Sequence, residues 1–356
     1  MKSSHDSNGR RVAVGKRAQR GAMRPATVKE NMMMAIVCPA YGSSEFLKFQ
    51  EVGKPDVKDD DVLVRVHAAS INTADWVRMT GRPYIARLMG SGLRRPRFYI
   101  AGQDVAGRVV AVGKNIEQFR PGDEVFGESK GALAEYVCAK ESELVLKPAN
   151  VTFEQAAAAP IAGITALQGL RDMGPVLPGQ SVLINGASGG VGTFSVQIAK
   201  AFGAEVTGVC STSNVDMVRS ISADRVFDYT QADFTQSGQL HDVIFDSVGN
   251  HSISACRRAL KSTGTYVSVA GQVKEHRWLG PMMRVLRMLV VSLFVSQKMV
   301  VVSATTTKTD LAVLRELLES GKITPIIDRR YALSAVPEAM RYLQTGHARA
   351  KIVINV

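Results

Sequence analysis

The feature that most constrains the fold of this chain is a glycine-rich turn, NGASGGVG, at positions 185–192. It lies between an apolar run at Ser181–Ile184 and a helical pattern at Thr193–Lys200. A strand, a glycine turn and a helix in this order place free backbone N–H groups and the positive end of the helix dipole where they can bind a pyrophosphate. The turn therefore predicts a dinucleotide-binding unit of the α/β class.

The glycine spacing departs from the strict fingerprint at one position. G-x-G-x-x-G would place glycines where the chain has Ala187, Gly189 and Gly192, so only the first is replaced. Glycine-rich turns also simply reverse chains, so the prediction depends on the flanking strand and helix. We expect cofactor contacts along the whole turn, from Gly186, Ala187, Ser188, Gly189, Gly190, Val191 and Gly192.

The rest of the chain divides into two patterns. From Met34 to about Ala149, short β-branched runs alternate with turns, which indicates a compact β-rich domain. After Pro178-Gly179, strands alternate with helical segments, which predicts a doubly wound parallel sheet. With 356 residues, of which 46% are apolar, the chain is long enough for two such domains.

The net charge of +12 resembles a nucleic-acid-binding signature until it is located. Residues 1–33 hold eight Lys or Arg against two Asp or Glu, so half of the excess belongs to one tail. That tail lacks hydrophobic periodicity, so we expect a disordered basic extension with no nucleic-acid role. It has no secretory core, and its glycines disfavour the alternative of a helical transit peptide. The four cysteines form no C-x-x-C pair, which favours a reducing cytoplasm.

One apolar segment, 279–302, does not fit the alternation. Its longest uncharged run, Met288–Gln297, is about half the length needed to span a bilayer. One interpretation is a helix that packs on the substrate cleft or on a partner subunit. The alternative is an interfacial helix that makes peripheral membrane contact, with its arginines at the level of the lipid headgroups.

Several motifs together resemble the medium-chain dehydrogenase/reductase superfamily. They are Asp61–Asp75, Ala101–Gly113, Pro121–Gly127, Lys147-Pro148, Ala162–Leu167, the turn at 186–192, Phe245–Gly249 and Gly346–Ile354. In detail they are similar to its zinc-independent branch of quinone oxidoreductases and reticulon-interacting-protein-like reductases. The resemblance covers everything from Met34 to Val356.

The resemblance implies a GroES-like β-barrel catalytic domain and a Rossmann domain that binds NADP. We assign residues 34–155 and 305–356 to the first and 156–304 to the second. It also implies a homodimer formed through the edge strand Met299–Ala304. Further cofactor contacts are expected, by the same resemblance, from Thr165, Val248, Ala270 and Lys351.

The departures from the family pattern predict the absence of metal. Zinc-dependent members carry a cysteine where this chain has Asn72, and Gly-His-Glu where it has Gly102-Gln103-Asp104. Amides are poor zinc ligands, and the cysteine-rich lobe that holds a structural zinc is missing. In the family, Asn72 and Asp75 face the nicotinamide cleft, and Tyr84 is the nearest proton donor. The alternative for each of the three is a loop residue that caps a turn.

Cofactor choice is predicted from the end of the second Rossmann strand. An NAD enzyme places Asp or Glu there to bind the ribose 2′-hydroxyl, but this chain continues with Ser211-Thr212-Ser213-Asn214. Small hydroxyl groups leave room for a 2′-phosphate, and Ser211, Ser213 and Tyr229 could donate to it. The loop has no obvious Arg or Lys. NADPH is therefore favoured over NADH.

These observations lead to one function and two alternatives. Without metal, the hydride acceptor should be one whose product anion is delocalised, such as a quinone or an α,β-unsaturated carbonyl. The alternatives are a zinc-free alcohol or aldehyde dehydrogenase, and a nucleotide-binding scaffold at a membrane that has lost turnover.

Overall fold

The computed structural model describes residues 31–356, apart from 83, 85, 86, 88–91, 98, 270–279, 293 and the side chains of 281–284. The strands are β1 (Met32–Val37), β2 (Lys48–Gly53), β3 (Asp61–Ile71), β4 (Asp104–Val112), β5 (Glu124–Glu128), β6 (Tyr136–Lys140), β7 (Leu144–Leu146), β8 (Ser181–Asn185), β9 (Glu205–Cys210), β10 (Arg225–Asp228), β11 (His241–Asp246), β12 (Leu260–Val269), β13 (Lys298–Val302), β14 (Ile327–Ala332) and β15 (Lys351–Asn355). The helices are α1 (Thr73–Thr80), α2 (Phe153–Ala158), α3 (Pro160–Gln168), α4 (Gly190–Ala201), α5 (Val215–Ser220), α6 (Ile253–Arg258), α7 (Gly280–Ser292), α8 (Lys308–Glu319) and α9 (Val336–Gln344).

The second half of the chain forms a parallel sheet in the order β10-β9-β8-β11-β12-β13. Its central strand β8 buries Val182, Leu183 and Ile184 almost completely, as expected for a strand covered by helices on both faces. One face packs with α3, α4 and α8, and the other with α6 and α7. The predicted doubly wound fold is confirmed.

The first half of the chain and its last strands share a second sheet, in the order β14-β15-β3-β4-β5-β7. The C-terminal strand β15 returns antiparallel to β3, with Ile352 opposite Ile71. Strand β6 also pairs with β3, and single bridges such as Ala35 to Ala134 attach β1. Within the described residues these strands follow an open path rather than a closed barrel.

The predicted start of the folded chain is wrong by two residues. Met32 and Met33, which we assigned to the basic extension, are the first residues of β1. Met32 pairs with Gly53 across the β1–β2 hairpin, and Met33 is 3% exposed. Burial of an apolar side chain and pairing of the backbone together hold this strand in place. Residues 1–30 of the extension lie outside the described residues.

Two local features of the sequence are visible in the structure. Thr152 caps α2 by accepting from the backbone N–H of Gln155, whose side chain bonds back to Thr152, as a capping box requires. Within the apolar segment 279–302, the described residues include α7 and β13. In the described part of the chain, no helix is long and apolar enough to cross a membrane.

Candidate cofactor and active site

The predicted phosphate turn joins β8 to α4 at the carboxyl edge of the parallel sheet. Helix α4 begins at Gly190 with Gly189 as its N-cap, so the amides of its first turn point into the turn. Gly186 adopts a φ of +86°, which favours glycine. A Cβ at Gly192 would lie 2.0 Å from the carbonyl oxygen of Gly186. The turn is thus a tight cradle of backbone with the geometry to bind a pyrophosphate.

The departure at Ala187 has a packing explanation. Ala187 is fully buried, and its backbone N–H donates to the carbonyl of Val209 at 3.0 Å. Its methyl group faces Gly208 on β9, where an added Cβ would come within 3.0 Å. The glycine that is missing from the turn is therefore compensated by a glycine on the neighbouring strand.

A buried carboxylate, which the sequence analysis missed, supports the turn from below. Asp246 ends β11 and is 1% exposed. It accepts from Asn185 Nδ2 at 2.9 Å, from the Gly249 amide at 2.7 Å and from the Tyr266 hydroxyl at 2.5 Å. It also accepts from the amide of Val248, whose side chain lies 2.5 Å from where a Gly186 Cβ would be. Val248, a predicted cofactor residue, thereby lies against the phosphate turn.

The predicted 2′-phosphate residues come together at the carboxyl ends of β9 and β10. The hydroxyl oxygens of Ser211 and Ser213 are 3.3 Å apart, and the Tyr229 amide donates to the carbonyl of Cys210 at 3.0 Å. The Tyr229 side chain is exposed. Asn214, which was not predicted, donates to the hydroxyls of Ser188 at 3.3 Å and Ser211 at 3.1 Å. It links this loop to the phosphate turn.

A carboxylate adjoins the same loop. Asp228 accepts from the hydroxyl of Thr212 at 2.6 Å and from the amide of Thr230 at 2.9 Å. The hydrogen bond from Thr212, and after it those from Thr230, lower the pKa of Asp228, so its carboxylate stays negative. Its charge opposes a phosphate nearby, while the hydroxyls of Ser211 and Ser213 favour one.

The other side of the candidate site is a buried polar cluster, which we call the Lys351 network. It consists of Lys351 on β15, Asn72 before α1 and Asp104 on β4. The ammonium of Lys351 donates to Asn72 Oδ1 at 2.5 Å and lies 3.3 Å from Asp104 Oδ2. Asn72 Nδ2 donates to the same oxygen of Asp104 at 2.8 Å.

Asp104 is fully buried and accepts from two further donors. It accepts from the hydroxyl of Ser70 at 2.6 Å and, through its other oxygen, from the amide of Ile161 at 3.1 Å. Lys351 is only 3% exposed. A buried ion pair is tolerated because each oxygen finds donors, and the cluster therefore fixes the relative positions of β3, β4, β15 and α3.

The strand that carries Lys351 also touches the phosphate turn. The amide of Ala350 donates to the carbonyl of Ser188 at 2.7 Å, and Ala350 and Gly189 form a parallel bridge. A Cβ at Gly190 would lie 3.2 Å from Lys351 Cδ. The predicted cofactor residue Lys351 and the predicted catalytic residue Asn72 are thus joined directly, beside the turn.

The other two predicted catalytic residues, Asp75 and Tyr84, are not members of the Lys351 network. Asp75 caps α1, because its Oδ2 accepts the amide of Asn72 at 2.8 Å, which is the alternative role that the sequence allowed. Burial raises the pKa of Asp75 to about 6, so it can hold a proton close to neutral pH. Tyr84 lies beyond α1 with its ring 4.7 Å from the Arg87 guanidinium. Among the described residues it is not a hydrogen-bond partner of Asn72 or Asp75.

The residues at the zinc-ligand positions of the family are engaged in other bonds. Gln103 is 5% exposed, and its Nε2 donates to Glu128 Oε1 at 2.5 Å. Glu128 also accepts from the hydroxyl of Thr306, and burial raises the pKa of Glu128. In the described part of the chain, no group of three or more His, Cys, Asp or Glu side chains could hold a metal ion.

Two further residues were predicted to contact the cofactor, Thr165 and Ala270. Thr165 is 8% exposed on α3, and its hydroxyl donates to the carbonyl of Ile161 at 2.6 Å, so only its acceptor capacity remains for a ligand. Ala270 lies outside the described residues.

Comparison with known families matches two parts of the chain. Residues 58–149 match the family described as "Alcohol dehydrogenase GroES-like domain", and residues 221–354 match "Zinc-binding dehydrogenase". The first match covers most of the catalytic sheet, and the second runs from the Rossmann sheet into the returning strands.

Individual proteins are similar over nearly the whole chain. A 2-methylene-furan-3-one reductase from Solanum lycopersicum is 34% identical over 88% of this chain and 77% of its own length. A chloroplastic NADPH-dependent alkenal/one oxidoreductase from Arabidopsis thaliana is 33% identical over 90% and 79%. The solved structure of a quinone oxidoreductase from Coxiella burnetii superimposes with a TM-score of 0.80, at 29% identity, over 91% of this chain and 99% of that one.

Proposed function

The chain belongs to the quinone oxidoreductase-like branch of the medium-chain dehydrogenase/reductase superfamily and is an NAD(P)-dependent oxidoreductase. We propose that it transfers hydride from NADPH to a quinone or an α,β-unsaturated carbonyl without a metal ion. The observation that carries this proposal is the Lys351 network. It places an ammonium group, held by Asn72 and Asp104, beside the phosphate turn.

The donors at this position do not fit zinc, although one matching family is described as zinc-binding. Asn72 Oδ1 accepts from Lys351, and Asp104 is saturated by Ser70, Asn72 and Ile161. A divalent cation would be repelled by the ammonium, and an amide oxygen is a weak zinc ligand. Without a Lewis acid, the acceptor should be one whose product anion is delocalised.

The described residues fit a dinucleotide phosphate. When bound, NADPH supplies the hydride. The amides at the start of α4 would bind the pyrophosphate, and Lys351 adds positive charge at the turn. Ser211, Ser213 and Tyr229 would donate to the 2′-phosphate, against the opposing charge of Asp228. This balance supports NADPH over NADH but leaves the preference modest.

The catalytic side chains have separate tasks in this proposal. Asn72 is oriented by Lys351 and Asp104, and its amide would position the acceptor carbonyl in the cleft. Asp75, whose pKa burial raises to about 6, can hold the proton that follows the hydride, and Tyr84 is the other candidate donor. Water can also protonate the delocalised anion.

The test is the loss of nicotinamide absorbance on mixing the full chain and NADPH with matched acceptors. We expect oxidation with a quinone and a 2-alkenal, and none with the corresponding saturated aldehyde. Acceptor-independent binding without turnover would favour a scaffold, and oxidation of simple alcohols with NADP⁺ would favour an alcohol dehydrogenase. Stoichiometric zinc whose removal by a chelator abolishes activity would overturn the metal-free mechanism.

Two further predictions concern the oligomeric state and the cellular location of the protein. In the described residues, β13 is the outer strand of the parallel sheet and pairs with β12, so its other edge needs a partner. We propose a homodimer joined through β13, which light scattering of the purified chain would test. Cytoplasmic location likewise stays a prediction, to be tested by cell fractionation.

A further inference from the structure

The outward face of α7 is apolar and exposed. Met288 is 2% exposed and packs on the parallel sheet, which fixes the helix's orientation. On the opposite side, at helical spacing, Leu286, Leu289 and Val290 are exposed to 52%, 58% and 49%, and Phe294 just beyond the helix to 81%. We call these four residues the α7 stripe. Exposed apolar groups at this spacing mark an interaction surface rather than scattered surface residues.

The sequence segment that contains the α7 stripe carries charge of one sign. From position 276 to 309 the sequence contains no Asp or Glu, while Arg287 and Lys298 lie in this segment with exposed side chains. Arg257 Nε donates to Gln297 Oε1 at 2.8 Å, which holds the loop after α7 against the end of α6, where Arg258 is also exposed. The segment that carries the α7 stripe therefore contributes exposed cations and no carboxylate, and Gln297 ties it to the end of α6.

We propose that the α7 stripe docks the enzyme onto an anionic lipid surface. An apolar helix face with cations at its border matches the boundary between acyl chains and acidic headgroups. A second copy would bring the same cationic segment to the interface, whereas acidic headgroups complement its charge.

Vesicle flotation of the full chain tests this docking. We expect binding to vesicles of phosphatidylcholine mixed with phosphatidylserine, weaker binding to phosphatidylcholine alone, and release at high salt. The variant Leu289→Ser/Phe294→Ser should lose at least about tenfold in partitioning, because two apolar side chains no longer enter the lipid. Arg287→Glu/Lys298→Glu should lose the preference for phosphatidylserine.

The matched control is Leu177→Ser. Leu177 is 58% exposed, like Leu289, but follows Val176, which packs on the other face of the sheet. It should bind vesicles as the wild type does, and all variants should still reduce a water-soluble quinone, which separates this proposal from the proposed reaction. Unchanged flotation of Leu289→Ser/Phe294→Ser would assign any lipid binding to the basic extension and overturn the proposal. If the oligomeric mass of Leu289→Ser/Phe294→Ser changed while its vesicle binding did not, the α7 stripe would be assigned to contact with a second copy, and the proposal would again be overturned.

Discussion

The phosphate turn and the Lys351 network lie side by side but are built in opposite ways. The turn is continuous in sequence, and the groups that we propose bind the cofactor are backbone amides held by glycines. The network joins side chains from positions 72, 104 and 351, and its groups are an amide, a carboxylate and an ammonium. A backbone site depends on local conformation, whereas a side-chain site depends on how distant strands pair. The two should therefore fail differently when they are changed.

The largest effect is expected at the network. Lys351→Met leaves the carboxylate of Asp104 buried without its cation, which should lower the free energy of unfolding by about 3–5 kcal/mol. Chemical denaturation measures this loss. The variant Lys351→Met/Asp104→Asn should recover part of the stability without recovering NADPH oxidation. Equal stability of the single variant and the wild type would show that the pair is not a structural unit.

At the turn, a single methyl group should act through cofactor binding. Gly192→Ala places a Cβ 2.0 Å from the Gly186 carbonyl, so the turn must open, and we expect NADPH affinity to fall by about a hundredfold. Gly189→Ala is the control, because its nearest contact would be an ordinary 3.4 Å. Titration of NADPH by fluorescence distinguishes them. Similar losses in both variants would contradict the steric argument.

Two buried side chains, Asp75 on α1 and His241 on β11, should change the stability of the protein with pH in opposite directions. Burial raises the pKa of Asp75 from 3.8 to about 6, so the folded state holds a proton that the unfolded state has lost, and stability falls as pH rises through this range. Asp75→Asn should remove this dependence, worth about 2–3 kcal/mol over that range. Unfolding measured from pH 4 to 7 tests it.

His241 on β11 is the counterpart. Burial lowers the pKa of His241 to about 4 from 6.5, so stability should fall as pH drops from 6.5 towards 4. His241→Gln keeps a partner for the Ser181 hydroxyl, which lies 2.9 Å from Nδ1, and should flatten only this acid-side loss. If both variants changed the pH profile in the same direction, one of the two burial arguments would be wrong.

The smallest effect is expected at the 2′-phosphate loop. Ser211→Ala/Ser213→Ala removes two candidate donors and should weaken NADPH binding by about tenfold while leaving NADH binding unchanged. Asp228→Asn is the companion change, since it removes an opposing charge and should favour NADPH slightly. Equal effects on both cofactors would exclude a 2′-phosphate at this loop.

Much of the fold could be predicted because its signals lie in residues that are close together in the sequence. The glycine turn, the capping box at Thr152 and the alternation of strands and helices each follow from neighbouring residues. The N-terminal boundary failed because the pairing of Met32 with Gly53 is not visible in local composition. Asp104, Asp246 and Asn214 were missed as site residues because a lone polar residue at a strand or loop end has no pattern of its own.

The sequence by itself determined that the chain contains a dinucleotide cradle, since glycine at fixed spacing acts through backbone geometry that needs only a strand and a helix. It also determined which residue types replace the zinc ligands of the family. Only the tertiary structure decided that Lys351 stands between Asn72 and Asp104, and that the α7 stripe faces outward while Met288 faces in. These placements follow from strand pairing and helix packing between segments far apart in the chain, which local patterns cannot specify.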